Sequence, residues 1–162
     1  MTQPPAEVPV PPQGPRPYDR QRYEELTQRL GMALLQVAPA GWRRIDLRIL
    51  MLAGVTDLRL SVIMPDGSSP AADPPRDCAQ IAAELRSMMY RTGEGTWFGM
   101  RFMMDPPSAY WVSFNADFDP GWDPPAAPEE WARDLALFPR DDEHVPGWLR
   151  ERLDRTAGAH GG

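Results

Sequence analysis

Lysine is absent from this 162-residue chain, and cysteine and histidine are nearly so. All seventeen cationic side chains are arginine, beside one Cys and two His. The missing lysine excludes catalysis through a lysine amine, and the arginine bias itself is typical of a GC-rich genome. The single Cys78 excludes an internal disulfide and is typical of a protein of the reducing cytosol.

Long apolar runs and a recognisable leader are also missing. No apolar run approaches the roughly 20 residues that a membrane-spanning helix needs. The first residues have neither the basic start nor the apolar stretch of a signal peptide. We therefore expect a cytoplasmic protein that has no membrane partner.

Motifs of common catalysis are missing too: the sequence has no Walker loop, GxGxxG, GxSxG or HExxH. Asp117, Asp119 and Asp123 do not form a calcium loop, because its sixth-position Gly and twelfth-position Glu are absent. The run 141–144 (DDEH) and Cys78 are interpreted as a charged loop and a small helix residue. We expect no enzyme, catalytic residue, metal or cofactor; an enzyme that uses the carboxylates of 117–123 stays open as an alternative.

Proline is concentrated at the N-terminus, where seven of the 20 prolines fall within the first 17 residues. This density predicts a disordered or polyproline-like arm over 1–17. The tail 156–162 (TAGAHGG) is predicted to be flexible. A single domain over 18–155 is then long enough to bury a sizeable core.

Hydrophobic spacing predicts an α+β domain with the element order α-β-β-α-β-β-α-α. Short turns between consecutive strands favour an antiparallel sheet of about four strands in two hairpins, with helices covering one face. Asp77 is predicted to N-cap the second helix. The predicted helices are 18–38, 77–91, 128–138 and 146–155, and the predicted strands are 42–52, 58–64, 97–104 and 109–115.

Strand alternation also predicts which aromatic residues face the core. Trp97 falls in the opposite row to the core row, and Trp111 falls on a mostly polar face with Ser113 and Asn115. Trp131 and Trp148 lie on predicted helices, and both are predicted to be packed in the protein interior. The predicted core row of the third strand consists of Phe98, Met100, Phe102 and Met104.

Acidic residues are concentrated in the C-terminal part of the chain. The formal net charge is −6; residues 105–162 hold twelve acids against five arginines, and residues 1–104 hold eleven acids against twelve arginines. Such a surface disfavours nucleic acid and anionic membranes and favours a basic protein as the partner.

The stretch 111–149 combines this acidity with large aromatic residues, a composition typical of a protein-binding surface. Trp122 lies in a loop between Gly121 and Asp123 and is the candidate interface anchor. The predicted partner-binding residues are Asp117, Asp119, Trp122, Asp123, Asp141, Asp142 and Glu143.

The chain resembles the YezG-type immunity proteins of bacterial polymorphic-toxin systems over roughly 20–153. The Pro-rich arm and the Pro-rich acidic loop depart from that pattern. The residues that carry the resemblance are 23–26 (YEEL), 41–42 (GW), 97–102 (WFGMRF), 110–115 (YWVSFN), 117–119 (DFD) and 137–140 (LFPR).

The resemblance implies a cytosolic antidote that binds a cognate secreted toxin and blocks its active site. The toxin would be a nuclease or an NAD-hydrolysing domain with a cationic cleft. The alternative is a secretion chaperone or adaptor that holds an exported protein without blocking its activity. A third possibility is that the Pro-rich arm docks into a groove of another protein.

Overall fold

A four-stranded antiparallel sheet organises the domain, and the elements follow the predicted order along the chain. Within the sheet the strand order is β2-β1-β3-β4. The computed structural model describes the backbone of residues 14–159 and the side chains of residues 14–155. The elements are α1 Arg20–Val37, β1 Arg44–Leu52, β2 Val55–Ile63, α2 Cys78–Met88, β3 Gly99–Asp105, β4 Ala109–Asn115, α3 Pro128–Leu137, a 3-10 turn Asp142–His144 and α4 Gly147–Ala159.

Both predicted hairpins form, and they join through a third antiparallel pairing between β1 and β3. Leu47 of β1 lies opposite Leu60 of β2 on one side and Phe102 of β3 on the other. Met103 of β3 in turn lies opposite Trp111 of β4. The strands β1 and β3 are therefore central, and β2 and β4 are the two edges.

The main core lies between one face of the sheet and the helices α1 and α2. Alternate residues of β1 and β3 point into it, and the i, i+4 spacing of the α1 leucines provides the matching helical stripe. Gly31 of α1 lies close to the sheet, within 3.6 Å of the Phe102 and Met104 side chains when its missing Cβ is built. The fully buried members are led by Leu26, Leu30, Leu34, Ile45, Leu47, Ile49, Ile81, Leu85 and Phe102.

A second, smaller cluster lies where α3 and α4 pack against each other and against the end of β1. It consists of Leu52, Phe98, Trp131 and Leu149, with Trp148 half-buried beside it. Phe98 contacts Trp131 and Trp148 edge-on, with ring centroids 5.6 and 5.4 Å apart. The expectation that helices cover a single face is therefore incomplete, because Leu52 belongs to this cluster and its neighbour Met51 belongs to the main core.

The predicted rows of the third strand are wrong at their first two positions. Trp97 is 2% exposed in the main core, and Phe98 belongs to the second cluster. The reason is that β3 begins only at Gly99, so strand alternation does not govern the two residues before it. Trp111 lies half-exposed on the polar face, as its spacing indicates.

The predicted ends also need correction. Asp77 precedes α2, but its side chain makes no capping hydrogen bond. The amide of Arg16 donates to the Ser87 carbonyl at 3.1 Å, so the last residues of the predicted arm are tied to α2, and residues 1–13 lie outside the described part. The helix α4 continues through residues 156–159, which the sequence predicts as part of a flexible tail, and residues 160–162 lie outside the described part.

A buried ion pair connects the two clusters. Arg86 of α2 is 2% exposed, and its guanidinium donates to both carboxylate oxygens of Asp134 of α3, at 2.8 Å for the Nη2–Oδ2 pair. The Arg86 Nε donates to the Trp97 carbonyl at 2.7 Å, and the Asp134 carboxylate accepts the Ala53 amide at 2.8 Å. The Arg86 charge also lies 4.8 Å from the ring centroid of Phe138. Every charged group of the pair is therefore hydrogen-bonded.

No helix in the described residues 14–159 is both long enough and apolar enough to cross a membrane.

Replacing Asp134 by Ala should destabilise the domain by about 3–5 kcal/mol, because it leaves the Arg86 charge buried without its partner. The matched control is Glu129→Ala, an exposed carboxylate on the same helix, which should cost less than about 1 kcal/mol. Urea unfolding measures both free energies. Similar losses for the two variants would show that the ion pair contributes no more than a surface charge.

Candidate functional site

The turn that follows β4 presents a phenylalanine between two carboxylates. The Asn115 Oδ1 accepts the Phe118 amide at 2.9 Å and the Asp117 amide at 3.3 Å, and its Nδ2 donates to the Phe118 carbonyl at 2.9 Å. This side-chain-to-backbone turn holds the chain in a tight loop. The Phe118 side chain points outward and is 77% exposed, with the exposed Asp117 and Asp119 on either side.

The second acidic segment begins where α3 ends and packs on the glycine turn that follows α2. The Asp141 amide donates to the Gly93 carbonyl at 2.7 Å, and Gly93 forms a parallel bridge with Arg140. The following 3-10 turn, Asp142–His144, exposes Asp142 and Glu143 to solvent.

Arg140 brings these two segments together. Its guanidinium donates to the carbonyls of Ala116 at 2.7 Å, Thr96 at 3.0 Å and His144 at 3.1 Å. It also lies 4.7 Å from the ring centroid of Phe98. Burial lowers the pKa of Arg140 from its ordinary value, and the nearby Asp117 carboxylate opposes that shift. Asp117 follows Ala116 and Asp141 follows Arg140 itself, so the two acidic segments lie side by side.

The helix α4 holds both segments from the other side. The Trp148 Nε1 donates to the Asp117 carbonyl at 2.8 Å, Arg150 donates to the Asp142 carbonyl at 3.2 Å, and Arg152 forms an ion pair with Asp119 at 2.9 Å. We call the resulting surface the acidic face. It consists of Asp117, Phe118, Asp119, Asp141, Asp142 and Glu143.

Few carboxylates of the acidic face form an ion pair with arginine in the described residues. Among the described residues, Asp119 is the one carboxylate of the face with an arginine ion pair within 4.0 Å. The His144 Nδ1 lies 3.9 Å from Glu143, and its Nε2 lies 3.9 Å from the exposed Glu94. The acidic face therefore carries a net negative charge, with five carboxylates, and attracts a cationic surface.

The structure places the other two predicted binding residues elsewhere. The Asp123 carbonyl accepts a hydrogen bond from Arg59 of β2 at 2.9 Å, so Asp123 lies towards the edge of the sheet opposite β4. Trp122 is half-buried and packs edge-on against Trp131, with ring centroids 6.2 Å apart. Five of the seven predicted residues therefore share the acidic face, and Trp122 and Asp123 do not belong to it.

The exposure of Phe118 was not predicted from the sequence. The signal that could have found it is Asn115 at the end of a strand, because Asn forms hydrogen-bonded turns with the backbone two and three residues later. The sequence predicts Trp122 as the exposed aromatic residue instead, because it lies between Gly and Asp in a Pro-rich loop. Its contact with Trp131 depends on the position of α3, which local sequence does not specify.

Two groups of side chains could in principle take part in chemistry: a set of possible metal ligands at the surface and the thiol of Cys78 in the core. Asp141, Glu143 and His144 form the one group of three metal-capable side chains found in the described residues, with ligand atoms within 4.8 Å of one another. They are exposed or half-exposed and form part of the acidic face and its border. Cys78 is buried in the main core, and burial raises the pKa of its thiol to about 12. The thiol is therefore protonated at neutral pH, in the form that is not nucleophilic.

Comparison with known proteins does not assign a family. A scan against models of protein families finds no match, and a search of curated proteins finds no significant relative.

Substituting Gly95 by Ala should disrupt the base of the acidic face. Gly95 has φ +95°, and a Cβ built on it would collide with the Arg140 guanidinium. The control is Gly41→Ala, because Gly41 has φ +82° and open space around its missing Cβ. Gly41→Ala should cost about 1–2 kcal/mol through its backbone conformation alone.

Gly95→Ala should cost at least about 2 kcal/mol more than this control, because it displaces a charged donor from three partly buried carbonyls. Chemical denaturation of both variants provides the comparison. Equal losses would mean that Arg140 shifts without weakening its contacts.

Proposed function

We propose that this chain is an immunity protein that binds a cognate bacterial toxin domain through the acidic face and blocks the toxin's active site. The observation that carries the proposal is the convergence of two acidic segments, about twenty residues apart in sequence, on Arg140 and α4. The pattern resemblance to YezG-type immunity proteins supports the same function. Protection of the producing cell in its cytoplasm is part of the proposal.

The chemistry of the face fits a cationic cleft. A toxin that binds nucleic acid or a dinucleotide has to attract phosphates, so its active site is lined by cations. Exposed carboxylates accelerate association with such a cleft and make it salt-dependent. Phe118 supplies an apolar group that can be buried at the centre of the contact and slow dissociation.

The conformation of the acidic face is also largely formed before a partner binds. Asn115, Arg140, Trp148 and Arg150 already hold its backbone, and Arg152 holds the Asp119 side chain. Little conformational freedom is then lost on binding, which favours affinity for a given contact area. A rigid inhibitor of this kind suits occlusion of an existing cleft.

A secretion chaperone or adaptor is the alternative function, since the same face could hold an exported protein in the cell. The two functions differ in what happens to the bound partner. An immunity protein abolishes the toxicity and catalytic activity of its partner, whereas a chaperone leaves them intact. Measuring the partner's activity with and without the chain therefore separates the functions.

Neutralising carboxylates of the acidic face should abolish binding of the partner. The variant carries Asp117→Asn, Asp142→Asn and Glu143→Gln, and it spares Asp119 because that residue pairs with Arg152. Pull-down of the tagged chain from its native cytosol at low salt, followed by mass spectrometry, should recover a toxin-domain protein with the wild type and lose it with the variant.

The matched control removes three exposed charges elsewhere, through Glu24→Gln, Asp73→Asn and Asp77→Asn. It should retain the partner, and circular dichroism should show that both triple variants are folded. Equal recovery by the two variants would eliminate the acidic face as the binding site. A recovered partner whose activity is unaffected by the wild-type chain would establish the chaperone instead.

Phe118→Ala should act on dissociation more than on association. Truncating a central aromatic anchor typically weakens binding by 2 kcal/mol or more, so we expect dissociation to accelerate at least about tenfold. Surface plasmon resonance with the recovered partner measures both rates. Met32→Ala is the control, because Met32 is 65% exposed on α1, remote from the face; matching dissociation rates for the two variants would reject Phe118 as an anchor.

A further inference from the structure

The outer edge of β4 has no strand neighbour among the residues that the structure describes. β4 has the sequence AYWVSFN, with no charged residue, proline or glycine. Tyr110 and Trp111 are 41% and 50% exposed on its two faces. Natural proteins usually protect a free edge with charges, prolines or covering segments, because unpaired backbone groups there accept another strand.

The other edge of the same sheet has this protection. β2 carries Asp57 and Arg59, which form an ion pair at 3.2 Å. The Arg59 guanidinium also donates to the Asp123 carbonyl, so the loop segment around Asp123 lies against that edge. The contrast within one sheet makes β4 the edge that is open to a further strand.

We propose that β4 pairs with β4 of a second copy of this chain, in antiparallel orientation, to give a continuous eight-stranded sheet. This inference goes beyond the proposed function and does not depend on it. A twofold axis near Val112, the central residue of β4, places Tyr110 of each copy opposite Phe114 of the other. Aromatic pairs of this kind stabilise antiparallel strands, and an isologous contact closes at two subunits.

The charges at the two ends of β4 favour the antiparallel orientation. Arg43 and Arg44 lie at the end of the sheet where β4 begins, and Arg44 holds Asp105, which pairs with Ala109. The acidic turn of Asp117 lies at the other end. Arg44 is already neutralised by Asp105. Antiparallel pairing places Arg43 of each copy at the same end of the sheet as the acidic turn of the other copy, whereas parallel pairing would place the two acidic turns side by side.

The chain's own N-terminal residues are a poorer occupant of this edge. Residues 1–13 contain five prolines and no run of more than three other residues between them. Proline has no backbone N–H to donate to a strand ladder. β4 itself has a donor at all seven positions, which makes a second copy the better match.

Sedimentation velocity of the full chain over a concentration series tests the proposal. The wild type should rise from 18.2 kDa towards twice that mass as the concentration increases. Trp111→Lys should raise the dimer dissociation constant at least about tenfold, because it places a charge at the paired edge. The control is Ser61→Lys, since Ser61 lies in the same transverse row of the sheet but on β2; it should leave the dissociation constant unchanged.

The register has its own test. Val112→Cys should give a disulfide-linked dimer under mild oxidation, and Ser61→Cys should not; the native Cys78 is buried and does not interfere. A wild-type chain that stays monomeric at every concentration would overturn the proposal, as would a dimer insensitive to Trp111→Lys. A chain that dimerises only after removal of residues 1–13 would assign the edge to the arm and overturn it as well.

Discussion

The ion pair between Arg86 and Asp134 is the interaction on which the arrangement of the domain depends. It joins α2, which belongs to the main core, to α3, which belongs to the second cluster. The same two side chains bind the Trp97 carbonyl and the Ala53 amide, and so also hold the approach to β3 and the turn after β1. A hydrophobic contact could join these elements at many angles, whereas a bidentate pair permits few.

The acidic face is built outward from this pair. Asp134 fixes the last turn of α3 through its ion pair with Arg86. The next residue after the helix, Phe138, packs against the Arg86 guanidinium. The Tyr90 hydroxyl binds the Pro139 carbonyl, and the next residue is Arg140. The position of the face relative to the sheet therefore follows from buried contacts, although every carboxylate that it presents is at the surface.

The parts that could be predicted from sequence are those that depend on local periodicity. The alternation in β1 and the leucine spacing of α1 specify their elements, their buried faces and hence the α+β order. The swapped positions of Trp97 and Phe98 could not be predicted, since they depend on where pairing with β1 and β4 begins. The same holds for the site: the acidic segments are evident in the sequence, but their meeting at Arg140 and the burial of Trp122 depend on how distant helices pack.

The guanidinium of Arg140 lies beneath these carboxylates as a built-in counter-ion. It satisfies three carbonyls without a carboxylate hydrogen bond, and burial alone would disfavour its charge. The negative potential of Asp117 compensates for part of that penalty. Asp117 thus has a folding role that precedes any partner: losing its carboxylate both reduces the negative charge of the surface and removes an interaction that favours the charged form of Arg140. A substitution at Asp117 therefore changes the stability of the turn that carries it as well as the charge of the surface.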